Sequence, residues 1–169
     1  MNAETERDPV VQALLDKLAI HEVLMRYCRA IDRCDAELLR TVYHAEAWEN
    51  HGSFNGPASE FIPWAMNLLR QRYKTTTHAI CNELVELAGE TAHSESYFFA
   101  SHRYERESRE YDWTVAGRYV DRFERRDGVW KIAHRIAVMG WDRVDAVTDK
   151  RPAPPVVGLR SRQDPVYQR

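Results

Sequence analysis

The chain has 169 residues, 44% of them hydrophobic and 30% charged, which is enough for one domain with a core of its own. Its 24 Lys and Arg residues against 26 Asp and Glu give a net charge of -2, which disfavours binding of nucleic acid through phosphates. No apolar run approaches the roughly 20 residues of a membrane span, and the N-terminus MNAETERDPV lacks the pattern of a signal peptide. We therefore expect a cytoplasmic protein with neither a nucleic-acid nor a membrane partner.

The first predicted element is a long amphipathic helix. Apolar residues recur at helical spacing between Val10 and Ile31. The helix is expected to end near Asp32, where a polar run begins. The positions that should face the core are Val11, Leu14, Leu15, Leu18, Val23, Leu24, Tyr27 and Ile31.

Two shorter helices should follow before the chain changes to strands. Asp35 suits the N-cap of a helix over Ala36 to His44, because its carboxylate can accept from the free amides of the first turn. Asn55-Gly56-Pro57 predicts a turn, and its proline suits the first position of a third helix that reaches about Tyr73.

After the third helix the spacing of apolar residues changes to alternation, which predicts antiparallel strands joined by short turns. The four strands are expected over Thr75–Leu87, Ala92–Glu105, Trp113–Arg125 and Val129–Trp141. Helices followed by a meander of strands are typical of the α+β class. A curved antiparallel sheet wrapped around the N-terminal helices would form a cone, an α+β barrel with a hydrophobic cavity suited to a small molecule.

We place a boundary at residue 148. Residues 1–148 should form the cone-shaped domain, whereas residues 149–169 carry four of the seven prolines and no periodicity. They predict an extended arm that lies on the domain or on a partner chain. The last strand is apolar on both faces, and its outer face, with Ile132, Ile136 and Val138, would be wet in a monomer. This favours a homodimer or homotrimer.

The common metal and cofactor motifs are missing. His21-Glu22 opens like a zinc-protease helix, but Met25 occupies the position of the second ligand. No glycine-rich phosphate loop, nucleophile elbow or CxxC pair is present. One further group of metal-binding side chains matches no ligand spacing: His44, Glu46, Glu49 and His51. We therefore expect no metal, no cofactor and no disulfide framework.

Asp32 and His78 are the candidate acid–base pair. Asp32 closes the first helix after a mostly apolar approach, and His78 lies near the start of the first predicted strand. If the helix packs into the sheet, the two can meet, and a carboxylate that accepts from one imidazole nitrogen makes the other a better base. The alternative is structural: Asp32 caps the chain and His78 is an ordinary strand histidine.

Two segments resemble the SnoaL-like family of the nuclear-transport-factor-2-like superfamily. They are LAIHEVLMRYCRAID at residues 18–32 and YVDRFERRDGVWKI at residues 119–132, and the resemblance extends over about residues 10–143. It implies an α+β cone around a hydrophobic cavity. Because the superfamily includes isomerases, dehydratases, dehydrochlorinases and non-enzymatic subunits, it indicates the fold more strongly than the function.

Within this superfamily the chain is similar to hexachlorocyclohexane dehydrochlorinase, scytalone dehydratase and bile-acid dehydratase, which abstract a proton with a histidine supported by an aspartate. The resemblance implies that His78 and Asp32 form this dyad, that Arg135 lies near the leaving group, and that Trp48 lines the pocket. Tyr27 stands where the dehydrochlorinase has a lysine and the bile-acid enzyme a tyrosine. A phenol can donate to an oxygen, so Tyr27 favours an oxygenated over a chlorinated substrate.

Three further residues are candidate substrate contacts. His102 resembles the second histidine of scytalone dehydratase, and its alternative is an exposed strand residue. Tyr43 is expected either to line the mouth of the cavity or to pack at a helix end. Asn82 shares the face of His78 on the strand unless a bulge shifts the register.

The alternation along the last predicted strand also supports an interpretation of Arg135. It shares a face with small alanines, which suits a cavity wall where a guanidinium can polarise an oxygen. The alternative is a surface ion pair with Asp121 or Glu124.

Together these features predict a cofactor-independent, dehydratase-type lyase. The His78–Asp32 dyad would remove a proton, and elimination from a hydrophobic, oxygenated cyclic, aryl or steroid-like substrate would follow. An isomerase or a carbon–carbon lyase with the same dyad is a close variant. The contrasting hypothesis is a non-catalytic protein, either a binding module for a hydrophobic ligand or a small subunit like that of ring-hydroxylating dioxygenases.

Overall fold

The computed structural model describes residues 8–149, 152 and 154–168. Residues 1–7 of the predicted domain and residues 150, 151, 153 and 169 of the predicted arm lie outside this range. The elements are α1 (Pro9–Arg33), α2 (Ala36–Thr41), β1 (Tyr43–Asn50), β2 (Asn55–Pro57), α3 (Ala58–Arg72), β3 (Thr75–Ala88), β4 (Thr91–Arg106), β5 (Arg109–Arg126) and β6 (Val129–Ala146), followed by a 3-10 turn at Pro165–Tyr167.

The strands form one six-stranded sheet in the order β2-β1-β6-β5-β4-β3. Strands β3 to β6 are the predicted antiparallel meander, and β1 extends it by pairing in parallel with β6. The sheet curves around the helices: α1 packs on β3 and β6, and α3 packs on β1. The predicted α+β cone is confirmed.

Strands β1 and β2 are absent from the sequence-based prediction, which placed Tyr43 and His44 at the end of the second helix. That helix ends at Thr41, and Tyr43 already pairs with Ile132 of β6. The segment YHAEAWEN contains no β-branched residue, so its extended conformation comes from pairing with β6 and β2 more than from local preference.

The first half of α1 differs from the predicted burial. Leu14 and Leu18 are 64% and 55% exposed, and Val11 and Leu15 are exposed as well. Before Ile20 the buried residue of this helix is Asp16, which accepts hydrogen bonds from Trp130 Nε1 and Arg125. The sheet therefore presents polar donors to this part of the helix, and the apolar core begins only at Ile20.

A β-bulge near the start of β6 changes the face of the sheet on which the first residues of this strand lie. Ile132 pairs with Phe123, but His134 already pairs with Arg122, so the register shifts at Ala133. Ile132 is fully buried, and its predicted place on the outer face is wrong. Beyond the bulge, Ile136 is exposed and Val138 is half-buried.

All three cysteines are free, two of them buried in the core region. In the described residues no helix combines the length and the apolar character that crossing a bilayer requires.

Candidate active site

The cone encloses a cavity of about 340 Å³ between α1, α3 and the concave side of the sheet. Its volume lies within the range of small-molecule sites. The wall is largely aromatic and aliphatic, and three imidazoles interrupt it: His51, His78 and His102. The apolar lining includes Tyr27, Ile31, Phe61, Trp64, Phe98, Val115 and Tyr119.

Asp32 and His78 are joined by two hydrogen bonds. Asp32 lies in the last turn of α1, and its Oδ1 is 2.7 Å from Nδ1 of His78. Its Oδ2 accepts from the backbone N–H of His78 at 2.9 Å, which ties the carboxylate to the start of β3. Among the described residues Nε2 of His78 has no hydrogen-bond partner, and the ring lines the cavity. With its Nδ1 proton donated to the carboxylate, this ring presents a basic nitrogen to a ligand.

His102 lies beside His78 on β4, with the ring centroids 5.3 Å apart and the planes nearly perpendicular. The side chain lines the cavity and is 8% exposed, so the exposed alternative does not apply. Burial, reinforced by the His78 imidazole, lowers the pKa of His102 to about 4. The ring is therefore neutral at neutral pH, and its buried Nδ1 has no partner among the described residues.

Arg135 is fully buried and is not one of the residues that line the cavity. It donates to both carboxylate oxygens of Asp121, at 2.7 and 2.6 Å, and its guanidinium lies 4.1 Å from the ring centroids of both Tyr27 and Tyr119. Burial alone would lower the pKa of Arg135, but the Asp121 carboxylate raises it well above the usual value. Arg135 lies behind the tyrosines and is not part of the cavity wall, so the structure does not place it beside a leaving group. The alternative named the right partner, Asp121, but this ion pair is buried and not at the surface.

Tyr27 does line the cavity. Burial, with the Glu49 carboxylate nearby, raises the pKa of Tyr27 far above its usual value. The hydroxyl therefore keeps its proton, and it can act as a hydrogen-bond donor toward a ligand oxygen.

Three predicted substrate contacts lie elsewhere. Trp48 is 44% exposed and donates to Asn55 at 2.7 Å. Asn82 is exposed because a bulge between Ile80 and Glu83 shifts the register of β3. Tyr43 is buried behind the cavity wall, where its hydroxyl donates to Glu49.

The sequence-based prediction missed His51 as a cavity residue. His51 follows β1, and its Nδ1 lies 2.8 Å from Oε1 of the buried Glu49. In the sequence these two residues belong to a group of metal-binding side chains, and the signal that indicates their pairing is Glu-x-His at alternate positions of an extended chain. In the described part of the chain no three His, Cys, Asp or Glu side chains are grouped as metal ligands would be.

Arg160 connects the C-terminal segment to the site. Its half-buried guanidinium donates to the backbone carbonyls of Asp32, Leu69 and Tyr73 at 3.3, 2.9 and 2.8 Å, and to the hydroxyl of Thr76 at 3.0 Å. One side chain thus holds together the ends of α1 and α3 and the start of β3, next to the Asp32–His78 pair.

Comparisons with known proteins identify a family model that matches the chain and solved structures with a similar fold. A model of the SnoaL-like domain matches residues 12–136. Hexachlorocyclohexane dehydrochlorinase LinA-type3 from Novosphingobium barchaimii LL02 is 17% identical, with a TM-score of 0.72 over 86% of this chain and 99% of that chain. A provisionally assigned scytalone dehydratase from Novosphingobium aromaticivorans is 20% identical, with a TM-score of 0.72 over 85% and 96%.

The Kfla4162 protein from Kribbella flavida is 19% identical, with a TM-score of 0.70 over 78% of this chain and 95% of that chain. No curated protein sequence matches the chain. At these identities the structural likeness establishes the fold alone.

Proposed function

The chain belongs to the SnoaL-like domain family, and we propose that it is a cofactor-independent lyase of the dehydratase type. One observation carries the proposal: His78 Nδ1 lies 2.7 Å from a carboxylate, in the wall of an apolar cavity. Such a pair is a general base that needs no metal to act on an activated C–H bond. That dehydrochlorinases and a provisionally assigned dehydratase share the fold supports this class of reaction.

In the proposed reaction Nε2 of His78 takes the proton from a carbon next to a substrate carbonyl. Asp32 stabilises the imidazolium that results. The electrons of the C–H bond form a C=C bond, and the C–O bond on the neighbouring carbon breaks, so that water leaves once its oxygen has gained a proton. Tyr27 and the neutral His102 supply hydrogen bonds to the carbonyl oxygen, whose negative charge grows as the proton is removed.

The cavity suits a hydrophobic, oxygenated ring compound of the cyclic, aryl or steroid-like kind. Phe61, Trp64 and Phe98 offer flat apolar surfaces, and the few polar groups can orient an oxygen. An isomerase would use the same proton abstraction and return the proton to another carbon. A carbon–carbon lyase would differ in the bond that breaks.

The proposal is tested with a panel of cyclic and aryl β-hydroxy ketones. Elimination of water gives a conjugated enone, which is followed by its ultraviolet absorbance. His78→Ala should lose at least about 100-fold in turnover, and Asp32→Asn should lose less but still severely, because an amide does not compensate imidazolium charge. Mass spectrometry of the products distinguishes elimination from isomerisation.

His21→Ala is the matched control. His21 is an exposed histidine whose Nδ1 lies 2.6 Å from Glu83, so it is a histidine–carboxylate pair outside the cavity. Turnover by His78→Ala equal to that of this control would contradict the proposal. Binding of the panel compounds without any turnover by the wild type would favour the ligand-binding module instead.

A further inference from the structure

A second histidine–carboxylate pair faces the same cavity as the first. Glu49 and His51 are two residues apart at the end of β1, an arrangement that places both side chains on one side of an extended chain. Nδ1 of His51 lies 2.8 Å from Oε1 of Glu49. The other oxygen of Glu49 accepts from the hydroxyl of Tyr43 at 2.7 Å.

The ring of His51 is held in a defined position. Its backbone N–H donates to the carbonyl of Phe54 at 2.8 Å, and its own carbonyl accepts from Ser53 at 2.9 Å. The ring stacks on Phe61, with centroids 5.3 Å apart and planes at 30°. Among the described residues its Nε2 has no hydrogen-bond partner, and the residue lines the cavity. This is the arrangement expected of a group that meets a ligand.

Buried charged groups lie behind the cavity wall at this ring. Glu49 is fully buried, as are Arg135 and Asp121, which pair with each other. Burial and the Glu49 carboxylate raise the pKa of Tyr43 well above its usual value, so the phenol stays neutral and only donates. Arg135 is taken up by Asp121, so Glu49 is the buried carboxylate that accepts from His51 and can support that ring when it carries the proton to be donated. Buried carboxylates need such hydrogen-bonded partners.

We propose that His51, oriented by Glu49, is the proton donor to the oxygen that leaves the substrate. The inference rests on the proposed function and adds to it the protonation of the leaving oxygen. As His78 takes the C–H proton and the C=C bond forms, the C–O bond breaks and the proton on Nε2 of His51 passes to the departing oxygen, giving water. His51 ends neutral and His78 ends protonated, and solvent at the open mouth of the cavity resets both.

This assignment names a class of substrate. Hydroxide is a poor leaving group and needs a proton as it departs, whereas acetate departs without one. A cavity with a base on one histidine and an acid on another therefore suits alcohols, with the hydroxyl toward His51 and the acidic C–H toward His78. The ring of the substrate, held between the two histidines, would lie against Phe61, on which His51 also stacks.

The test compares a β-hydroxy ketone with the matching β-acetoxy ketone, since both give the same enone. His51→Gln and Glu49→Gln should lower elimination of water at least about 100-fold but elimination of acetate less than about 10-fold. Both variants should still exchange the hydrogen next to the carbonyl for deuterium in D₂O, because that step belongs to His78. His21→Gln again serves as the control.

Equal losses on both ketones, or no loss on either, would overturn the role of His51. If the wild type eliminates neither group and exchanges no hydrogen, the proposed function fails. The role of His51 is then decided by nitrogen-15 NMR of the resting protein. Protons on both ring nitrogens of His51, with the Nδ1–H signal altered in Glu49→Gln, support the proton donor, and an Nε2 without a proton in the wild type overturns it.

Discussion

Three histidines line one cavity, and at the scale of single residues their partners distinguish them. His78 is paired with Asp32 and His51 with Glu49, whereas Nδ1 of the buried His102 has no partner in the described residues. The same side chain can act as a base, an acid or a neutral hydrogen-bonding group, depending on its surroundings. The proposed mechanism therefore rests on the partners of these histidines.

His102 should make the folded protein sensitive to mild acid. Burial lowers its pKa to about 4, below the usual value of about 6.5. At pH values between these two, His102 is protonated in the unfolded chain and neutral in the folded chain. The stability contributed by the neutral, buried His102 is therefore present above about pH 6.5 and is lost as pH falls. From about pH 7 to about pH 5 the loss should be about 2 kcal/mol.

Urea unfolding at both pH values checks this prediction. His102→Gln, which cannot titrate, should lose about 2 kcal/mol less than the wild type over the same interval. His93→Gln, an exposed histidine on the same strand, is the matched control. An identical pH dependence in wild type and His102→Gln would show that the buried imidazole does not resist protonation.

The sequence predicts some of these residues better than others. Asp32 and His78 follow from a helix end and a strand start, which local patterns indicate well. The position of Asn82 rests on counting alternate positions along β3, and a bulge in that strand makes the count unreliable. The cavity position of Arg135 rests on the family resemblance and on a similar count along β6, which a bulge also disturbs. His51 was missed because its strand was not recognised.

At the scale of elements, the two ends of the sheet illustrate what local sequence does and does not indicate. Strands β3 to β6 were recognised because they are rich in β-branched and aromatic residues and are separated by turns. β1 contains two aromatic and no β-branched residues, and its partner β6 lies more than 80 residues further along the chain. Pairing over such a separation is a tertiary effect that no short window of sequence contains.

The C-terminal segment should stabilise the site through Arg160. Arg160→Ala leaves the carbonyls of Asp32, Leu69 and Tyr73 without this donor, so the free energy of unfolding should fall by about 1–3 kcal/mol. Turnover should fall with it, because the carboxylate of Asp32 orients His78. Urea unfolding and the enone assay measure the two effects.

Arg162→Ala is the control on the same segment. The side chain of Arg162 is 69% exposed, and its guanidinium lies 3.7 Å from the Asp35 carboxylate and 4.8 Å from the ring centroid of Tyr167, so its contacts are weak and at the surface. If Arg160→Ala is no less stable than this variant, the segment does not brace the dyad.

At the scale of the whole molecule, the outer face of the sheet carries apolar residues that are exposed to solvent in a single chain. Phe99 and Trp141 are 48% and 49% exposed with their rings 6.0 Å apart, and Ile136 is 37% exposed. Contiguous exposed apolar residues favour a partner surface, and a second copy of the chain is the simplest one. We propose a homodimer or homotrimer formed through this face.

Ile136→Glu tests the assembly. A carboxylate in a buried apolar interface has no partner, so the variant should elute as a monomer in size-exclusion chromatography with light scattering. Val129→Glu, at an exposed position in the β5–β6 hairpin, controls for the added charge. A wild type that is already monomeric at micromolar concentration would contradict the proposed oligomer.

The central claim, that His78 with Asp32 removes a proton from carbon, is tested most directly by hydrogen exchange without elimination. A cyclic or aryl ketone that lacks a leaving group is incubated in D₂O, and mass spectrometry measures the deuterium gained next to the carbonyl. The wild type and His21→Ala should incorporate deuterium, and His78→Ala should incorporate at least about 100-fold less. Exchange by His78→Ala as fast as by the wild type, or no exchange by the wild type across the panel, would contradict the account.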